Sequence, residues 1–450
     1  MFFHWFFYPV KRTGRRIVLS SEAVKIGLMG CGTVGSGVIK VILENGEYIA
    51  QRLGRPLVIK RVLELDPTKV TALGLAESVV TNDFNDIQTD PEIDIVVELM
   101  GGIEPARTFV LGALRAGKNV VTANKDLIAL HGREILETAQ EMGRDFYFEA
   151  SVGGGIPIII PLKQSLAANK IQVVMGIVNG TTNYILTKMA REGRTYAEVL
   201  QEAKSLGYAE SDPTSDVEGY DAARKIAILA SIAFNTRVTF PDVYVEGITR
   251  ISTLDLEYGK ELGYALKLLA IAKEEAGEID VRVHPAFIPV NHPLASVNDV
   301  FNAIFIRGDF VGDVMHYGRG AGQRPTASAV VGDIMEVARN MQSGSSGRIS
   351  CTCFEQKRIK PINEIESRYY IRLMLKDRPG VLASIAGVFG NQEVSLASVI
   401  QKRTEGDFAE LVFVTHRVKE GSLQDALKII GGMSIVGAIN NVIRVEGEAE

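Results

Sequence analysis

Charged residues that could do acid–base chemistry are concentrated near the middle of the chain. Glu210 and Asp212 precede a proline, and Asp221 is followed four positions later by Lys225. Residues four apart lie on the same side of a helix, so the Asp221 carboxylate and the Lys225 ammonium group are expected to meet. A lysine placed in this way could donate a proton to a reacting oxygen. An ordinary surface ion pair explains the Asp221–Lys225 spacing equally well, but the carboxylates just before it favour chemistry.

A helix must position this pair. Ser215 and Glu218 form a capping-box pattern, and apolar residues then repeat at helical spacing. These apolar residues are Ala222, Ile226, Leu229, Ala230 and Ala233. The sequence therefore predicts a helix that begins near Ser215 and buries one face, with the charged pair beside that face.

A glycine-rich turn near the start of the chain is a second candidate site. Gly30, Gly32 and Gly35 form the pattern G-x-G-x-x-G between a predicted strand at 24–29 and a helical run from Val38. In this context glycines allow a tight turn, and a pyrophosphate can approach the helix N-terminus. The pattern indicates dinucleotide binding, although the same glycines could serve a tight turn that binds nothing.

The next predicted strand, residues 58–66, carries Glu64 and Asp66 near its end, where the ribose 2'-hydroxyl would be recognised. An acidic residue there favours NAD. Lys69 follows closely enough to accept the 2'-phosphate of NADP instead. Cofactor preference is therefore open at this point.

Further strands are predicted at 93–100, 119–122 and 146–151, and they alternate with helices as in a doubly wound parallel sheet. Lys125 follows the second of these strands at its carboxyl end, where open α/β sheets bind their ligands. Lys125 is thus a candidate site residue, although a lysine in a loop is solvated by default.

Glu149 and the glycines at 153–155 could bind a cation, because exposed carbonyl oxygens and a carboxylate suit a hard monovalent ion. A flexible crossover explains these glycines equally well. A second glycine-rich loop, at 318–326, precedes a helix that runs through Ala338.

The segment 341–347 has the composition of a linker. Beyond it, the pattern from Tyr370 to Ile430 and the residues after it predicts the order β-α-β-β-α-β of a small ferredoxin-like module.

Composition excludes several classes of protein. The chain has 450 residues, 46% of them hydrophobic, and a net charge of −5, with no basic cluster for nucleic acid. Its three cysteines favour a reducing, cytoplasmic location, and the spacing of Cys351 and Cys353 is too short for a usual zinc knuckle. The aromatic segment 2–8 is too short to span a bilayer and precedes its basic residues, unlike a secretory signal. We expect a loose extension there, with a peripheral membrane anchor as the alternative.

Several separate motifs occur together along the chain. They are Gly30-x-Gly32-x-x-Gly35-x-Gly37, Ala123-Asn124-Lys125, Glu149-Ala150-Ser151-Val152-Gly153, the run from Asn179 to Leu186, and Gly207-Tyr208-Ala209-Glu210-x-Asp212-Pro213 continued to Asp221-x-x-x-Lys225. Together they resemble the homoserine dehydrogenase family over about residues 24–340. The tail, with Asp377-Arg378-Pro379-Gly380, resembles an ACT domain, a module that senses amino acids.

The resemblance implies an α/β protein of three parts after an N-terminal extension at residues 1–22. These parts are a Rossmann-type NAD(P)-binding domain at 23–150, an α+β catalytic and dimerisation domain at 151–340, and, after a linker at 341–367, a ferredoxin-like ACT domain at 368–447.

The resemblance also implies an activity, the NAD(P)-dependent interconversion of L-homoserine and L-aspartate 4-semialdehyde in the biosynthesis of threonine, methionine and isoleucine. Lys225 would donate the proton and Lys125 would polarise the carbonyl, while Glu210 and Asp221 would bind substrate. The implied cofactor-binding residues are Gly30, Gly32, Thr33, Val34, Gly35, Lys125, Gly207 and Gly322. The implied ligands of a sodium or similar ion are Glu149 and the carbonyls of Val152, Gly154 and Ile156.

By the same resemblance, threonine would be the amino-acid effector and the enzyme would be a homodimer or homotetramer. Leu65 stands where relatives often carry an arginine that grips a 2'-phosphate, so the sequence departs from an NADP-specific pattern.

Two rival interpretations are weaker. A regulator with an ACT domain and an inactive Rossmann fold would not need Lys125, Glu210, Asp221 and Lys225 all intact. A dehydrogenase acting on an aldehyde phosphate would need a cysteine nucleophile, and neither Cys351 nor Cys353 lies in the catalytic part.

Overall fold

The computed structural model describes residues 22–349 and 351–447. The predicted N-terminal extension, with the aromatic segment at 2–8, lies outside these residues except for Glu22. Among the helices of the described residues, none combines the length and the apolar character needed to cross a membrane.

The first part of the chain alternates strands and helices. These elements are β1 (Val24–Met29), α1 (Thr33–Glu44), α2 (Gly46–Leu53), β2 (Leu57–Leu63), α3 (Pro67–Thr71), β3 (Val80–Thr81), α4 (Asn85–Gln88), β4 (Ile95–Glu98), α5 (Ala106–Arg115), β5 (Asn119–Thr122), α6 (Lys125–Glu141) and β6 (Phe146–Tyr147). All six strands are parallel, in the order β3-β2-β1-β4-β5-β6. This is the strand order of a Rossmann sheet, so the predicted fold class is confirmed.

The central strands are buried on both faces, which explains why their continuous apolar runs could be recognised in the sequence. β4 and β5 are buried at every position, as expected of parallel strands covered by helices on both sides. β6 is shorter than predicted, because Glu149–Ser151 turns into a 3-10 helix.

The second part is built on an antiparallel sheet. Its elements are β7 (Ile171–Ile177), α7 (Gly180–Glu192), α8 (Tyr196–Ser205), α9 (Thr214–Val217), α10 (Tyr220–Ala233), β8 (Tyr244–Val245), α11 (Thr253–Glu261), β9 (Tyr264–Glu275), β10 (Glu278–Pro289), β11 (Phe301–Gly308), β12 (Gly312–Arg319) and α12 (Gln323–Ser343). The sheet has the order β12-β11-β7-β9-β10, and α7, α10 and α11 pack against it.

The helix α10 begins differently from the prediction. The capping box of Ser215 and Glu218 does not form, since α9 ends at Val217 and Gly219 starts α10 with a positive φ of 84°. A Cβ on Gly219 would lie 3.1 Å from side-chain atoms of both Val245 and Val283, so only glycine fits this tight turn. α10 is also buried on most sides rather than on one face, because it lies between the sheet and α6.

The helix α12 follows the second part in sequence but packs against the Rossmann sheet. Its buried side chains, including Ala327 and Ile334, belong to the core formed by β1, β2 and α1. A Cβ on Gly37 of α1 would lie 3.0 Å from the Cβ of Ala327, so the glycine permits the close contact of the two helices. α12 therefore connects the end of the second part back to the core of the first part.

The third part contains β13 (Arg358–Ile359), β14 (Glu366–Lys376), α13 (Val381–Asn391), β15 (Leu396–Glu405), β16 (Phe408–Thr415), β17 (Val418–Lys419), α14 (Glu420–Gly431) and β18 (Val436–Val445). The main strands lie antiparallel in the order β18-β14-β16-β15. The predicted β-α-β-β-α-β module is therefore present.

This module is joined to the antiparallel sheet of the second part. β18 pairs in parallel with β10, with Ala286 opposite Arg444 and Phe287 opposite Val445. The sheets of the second and third parts thus form one continuous sheet. The sequence had indicated a flexible connector and no direct contact of this kind.

Three buried arginines lie at the junction. Arg282 pairs with Glu446 at 2.6 Å. Arg372 pairs with Asp255 of α11 at 2.8 Å. The third, Arg444, pairs with Glu420 at 2.8 Å and with Glu246 at 3.0 Å. Removing one partner of such a buried pair costs about 3 to 5 kcal/mol, so the module is firmly attached.

Candidate active site

A cavity of about 600 Å³ lies where the carboxyl ends of the Rossmann strands face the second part of the chain. It collects residues that are far apart in sequence. Among the predicted site residues it is lined by Val34, Lys125, Gly154, Gly207, Glu210, Asp221, Lys225 and Gly322. The position agrees with the general rule for ligand sites in open α/β sheets.

Lys225 lies one turn into α10 with its side chain mostly buried. Its Nζ donates to the Val178 carbonyl oxygen at 2.7 Å and to Asp221 Oδ2 at 2.6 Å. An ammonium group has three N–H donors, so within the described residues these two contacts leave one donor for a ligand in the cavity.

Asp221 lies between the two lysines. Its Oδ1 lies 3.5 Å from Nζ of Lys125, opposite the Oδ2 contact with Lys225. Burial opposes ionisation of this carboxyl group, but the two lysines and the hydrogen bonds outweigh it and lower the pKa of Asp221 to about 2. Asp221 is therefore a permanent anion that fixes both ammonium groups.

Asn179 and Asp216 are site residues whose roles the sequence did not reveal. Asn179 caps α7 by accepting from the Thr182 N–H at 2.9 Å, and its Nδ2 donates to Asp221 at 2.9 Å and to Asp216 at 2.7 Å. Burial, together with the charge of Asp221, raises the pKa of Asp216. For Asn179 the sequence signal was the Asn-Gly-Thr-Thr helix start, which indicates a cap but no partner, and Asp216 was one carboxylate of the run before Lys225.

Lys125 and Glu210 reach the cavity from different elements. Lys125 is the first residue of α6, which Asn124 caps by accepting from the Leu127 N–H at 3.1 Å. Glu210 is exposed at the rim, in the loop between α8 and α9. The loop is tied to α7 by a hydrogen bond of 2.7 Å from the Thr181 hydroxyl to the Tyr208 carbonyl oxygen.

Comparison with known proteins identifies the family. A homoserine dehydrogenase of Bacillus subtilis is 44% identical over 428 residues, which are 95% of this chain and 99% of the relative. The chain belongs to the homoserine dehydrogenase family.

Family models and solved structures agree with this assignment. The models described as homoserine dehydrogenase, its NAD-binding domain and the ACT domain match residues 157–335, 30–149 and 369–431. The crystal structure of a homoserine dehydrogenase from Thiobacillus denitrificans has a TM-score of 0.89 and 41% identity, covering 94% of this chain and 98% of that one. A hyperthermophilic archaeal homoserine dehydrogenase in complex with NADPH has a TM-score of 0.60 and 29% identity, covering 70% and 97%. The enzyme is therefore an NAD(P)-dependent oxidoreductase.

The glycine turn of this homoserine dehydrogenase fits a dinucleotide. A Cβ on Gly35 would lie 2.0 Å from the Gly30 carbonyl oxygen, and a Cβ on Gly30 would lie 2.8 Å from the Leu99 carbonyl oxygen. The space beside Gly32 is open, with no atom within 4 Å of an added Cβ. No side chain caps α1, whose first residue is Thr33, so its N–H groups are available to a pyrophosphate.

Glu64 is the acidic residue beside this turn. Its carboxylate accepts from the Cys31 N–H at 2.9 Å and pairs with Lys69 at 3.1 Å. Burial raises the pKa of Glu64, but these contacts outweigh it and lower the pKa overall. Asp66 instead caps α3 by accepting from the Thr68 N–H at 3.0 Å. Glu64 and Lys69 thus remain together as opposite charges where a ribose would be recognised.

The predicted cation ligands lie next to the cavity. The Glu149 carboxylate is buried and accepts from the backbone N–H groups of Ile159 at 2.8 Å and Ile160 at 2.7 Å, and also from Ile158. Three of the roughly four acceptor positions of this carboxylate are therefore occupied by N–H donors. Among the described residues, no three His, Cys, Asp or Glu side chains form a metal cluster.

Proposed function

We propose that this enzyme interconverts L-homoserine and L-aspartate 4-semialdehyde in the cavity between α6 and α10, as a step of threonine, methionine and isoleucine biosynthesis. One observation carries the proposal: Asp221 holds the ammonium groups of Lys125 and Lys225 together in a cavity that opens toward the glycine turn. The family assignment supports the same chemistry.

The bound dinucleotide would exchange a hydride with the carbon that carries the alcohol or aldehyde oxygen. When the aldehyde is reduced, negative charge develops on its oxygen. The remaining N–H donor of Lys225 stabilises that charge and supplies the proton. Lys125, at the N-terminus of α6, polarises the same carbonyl group, and both lysines are oriented before the substrate arrives.

Glu210 is suited to the ammonium end of the substrate. It is an exposed carboxylate at the rim of the cavity, in the loop between α8 and α9. Asp221, whose two oxygens are held by the lysines, contributes mainly through them. We therefore assign substrate binding to Glu210 and orientation of the lysines to Asp221.

In this proposal, main-chain carbonyl oxygens supply most ligands of the monovalent cation, for example sodium. The carbonyls of Val152, Gly154 and Ile156 supply most of the ligands, and Glu149 adds the acceptor position that its three backbone N–H donors leave open. The cation would order the loop beside the cavity and take no part in hydride transfer.

Regulation by threonine would act through the junction between the module and the catalytic sheet. Arg444 of β18 holds Glu246 at 3.0 Å, and two residues later the Ile248 N–H donates to the Val217 carbonyl oxygen at 2.8 Å. The intervening Gly247 packs so closely that an added Cβ would lie 2.4 Å from that oxygen. A movement of β18 would therefore reach the turn that starts α10 and carries Asp221.

The exposed side of the ACT module supports assembly into a homodimer or homotetramer. β15 is the last strand of the sheet, and Val399 on it and Leu382 on α13 are exposed apolar residues. A second copy could cover both. An effector carboxylate would then bind at the N-terminus of α13, which Gly380 starts without a side-chain cap.

The cytoplasmic location of the enzyme stays a prediction.

The test is a steady-state assay of the purified enzyme that follows reduced nicotinamide. L-Homoserine with NAD⁺ or NADP⁺ should be oxidised, and aspartate semialdehyde should be reduced with NADH or NADPH. L-Serine and L-threonine, whose hydroxyl groups lie one carbon closer to the amino group, serve as controls. Faster turnover of either control, or no turnover of homoserine, would contradict the proposal.

A further inference from the structure

Two thiol groups lie outside the active-site cavity and take no part in the proposed reaction. Cys351 and Cys353 are half-buried between α12 and β13. Both line a small cavity of about 20 Å³, together with apolar residues of α6 and α10. The apolar wall residues include Ile128, Leu136, Ile228 and Ile232. The dithiol therefore lies behind the two helices that carry the catalytic lysines.

Two basic side chains share the cavity with the first thiol. Lys163 and Arg237 also line the cavity, and Nζ of Lys163 lies 5.3 Å from the centre of the Phe148 ring. The neighbouring Cys353 side chain, the Cys353 N–H at 3.5 Å from Sγ, and the charges of Lys163 and Arg237 outweigh burial and lower the pKa of Cys351. A lowered pKa favours the thiolate of Cys351, which is the form that reacts with oxidants.

The second thiol stays protonated. Cys353 Sγ donates to the Ser231 carbonyl oxygen of α10 at 3.6 Å, and the neighbouring thiolate and burial raise its pKa. A neutral thiol beside a thiolate is the arrangement of a resolving cysteine next to an attacking one.

We propose that Cys351 and Cys353 form a dithiol that is sensitive to hydrogen peroxide and closes to an intrachain disulfide. The Cys351 thiolate attacks a peroxide oxygen, forming an S–O bond as the O–O bond breaks, and the departing hydroxide takes up a proton to become water. Cys353 then loses its proton and attacks the sulfenic sulfur. The S–S bond forms, the S–O bond breaks, and a second water leaves. In total, the two thiols lose two electrons and two protons, and the peroxide is reduced to two waters.

Formation of the disulfide would disturb the helices that carry the active-site lysines. It withdraws the Cys353 thiol from the Ser231 carbonyl oxygen of α10, and the cavity wall residues Ile128 and Ile228 each lie three positions after a catalytic lysine. We therefore expect oxidation to lower kcat severalfold while the KM for homoserine changes little, and a dithiol reductant to restore kcat.

The experiment treats the full-length enzyme with hydrogen peroxide and maps the cysteines by peptide mass. The peptide with residues 351–353 should lose two hydrogens reversibly. Cys31 is an internal reference, because it is buried and burial together with the Glu64 carboxylate raises its pKa. Iodoacetamide at neutral pH should alkylate Cys351 about tenfold faster than Cys31.

Two variants make the assignment decisive. In Cys353→Ser, the sulfenic acid on Cys351 should persist and be trapped by dimedone. In Cys351→Ser, Cys353 should not react. Equal reactivity of Cys31 and Cys351, direct oxidation of Cys353 in Cys351→Ser, or disulfide-linked dimers in place of the intrachain product would each overturn the proposal.

Discussion

Asp221 Oδ2 lies 2.6 Å from Nζ of Lys225 on the same face of α10, and the two side chains are only 10% and 12% exposed. A solvated pair at this spacing contributes about 0.3 to 0.5 kcal/mol and orients nothing. Here the low exposure, and the second ammonium group on Oδ1, give the pair a fixed geometry that faces the cavity.

Replacing Lys225 by alanine should lower kcat by about 10² to 10⁴-fold, because the developing oxyanion loses its proton donor. The dissociation constant of the dinucleotide, measured by fluorescence titration, should stay within about twofold of the wild-type value. The matched control is Arg133→Ala, which breaks an exposed ion pair of the same spacing with Glu137. A near-normal kcat in Lys225→Ala would remove the lysine from the reaction.

Asp221→Asn should change the acid dependence of stability. The pKa of Asp221 is lowered from 3.8 to about 2 in the folded state, so its contribution is present above pH 4 and is lost as the pH falls through 2. In urea titrations, the wild-type free energy of unfolding should fall by about 2 kcal/mol more than that of the variant between pH 6 and pH 2. Asp212→Asn, an exposed carboxylate in the preceding loop, should show a smaller difference. Parallel pH profiles of Asp221→Asn and wild type would contradict this account.

Glu210→Gln should raise the KM for homoserine about tenfold or more and affect kcat much less. An ammonium bound at this carboxylate is held in both the ground state and the transition state, so its loss weakens binding uniformly. The same variant should keep its KM for the dinucleotide. An unchanged homoserine KM would exclude Glu210 from the substrate site.

For the cofactor, we expect NADH to be used at least as well as NADPH, because the Glu64 carboxylate beside the glycine turn repels a 2'-phosphate. Lys69→Ala should reduce kcat/KM for NADPH and leave the value for NADH unchanged. A hundredfold preference of the wild-type enzyme for NADPH would show that Glu64 does not discriminate.

Glu246→Gln should weaken inhibition by threonine about tenfold while basal activity stays the same, because Arg444 then loses its charged link to the start of α10. Glu261→Gln is the matched control, since Glu261 also pairs with the ACT module, through Lys402, but at an exposed position. Calorimetry of the intact enzyme should show threonine binding. Its absence, or full sensitivity of Glu246→Gln, would refute this route.

Local patterns predicted much of the fold. β1 and β5 were predicted with their observed bounds, because each is a short apolar run that ends at a glycine or loop signal. The meeting of Asp221 and Lys225 follows from helix periodicity alone and is present in the structure. The catalytic roles assigned to these residues stay predictions.

Long-range contacts were not predictable in the same way. The hydrogen bonds from Asn179 to Asp216 and Asp221 join residues about 40 positions apart, and no periodicity relates them. α12 has a stripe of buried apolar side chains, but the sequence pattern of such a stripe does not indicate which of the two neighbouring cores it packs into. The pairing of β10 with β18 involves only two residues of each strand, which is too short to leave a sequence pattern.

The pairing of β10 with β18 limits how the ACT module could be removed or replaced by a module from another enzyme. Removing the chain after residue 346 would expose the edge of β10, take Arg372 away from Asp255, and take Glu446 away from Arg282, whose Asp280 partner would remain. The truncated protein should therefore be unstable rather than merely insensitive to threonine. A module grafted from another enzyme would have to bring residues equivalent to Arg372, Arg444 and Glu446. Regulation and folding of the catalytic sheet would therefore have to evolve together in this chain.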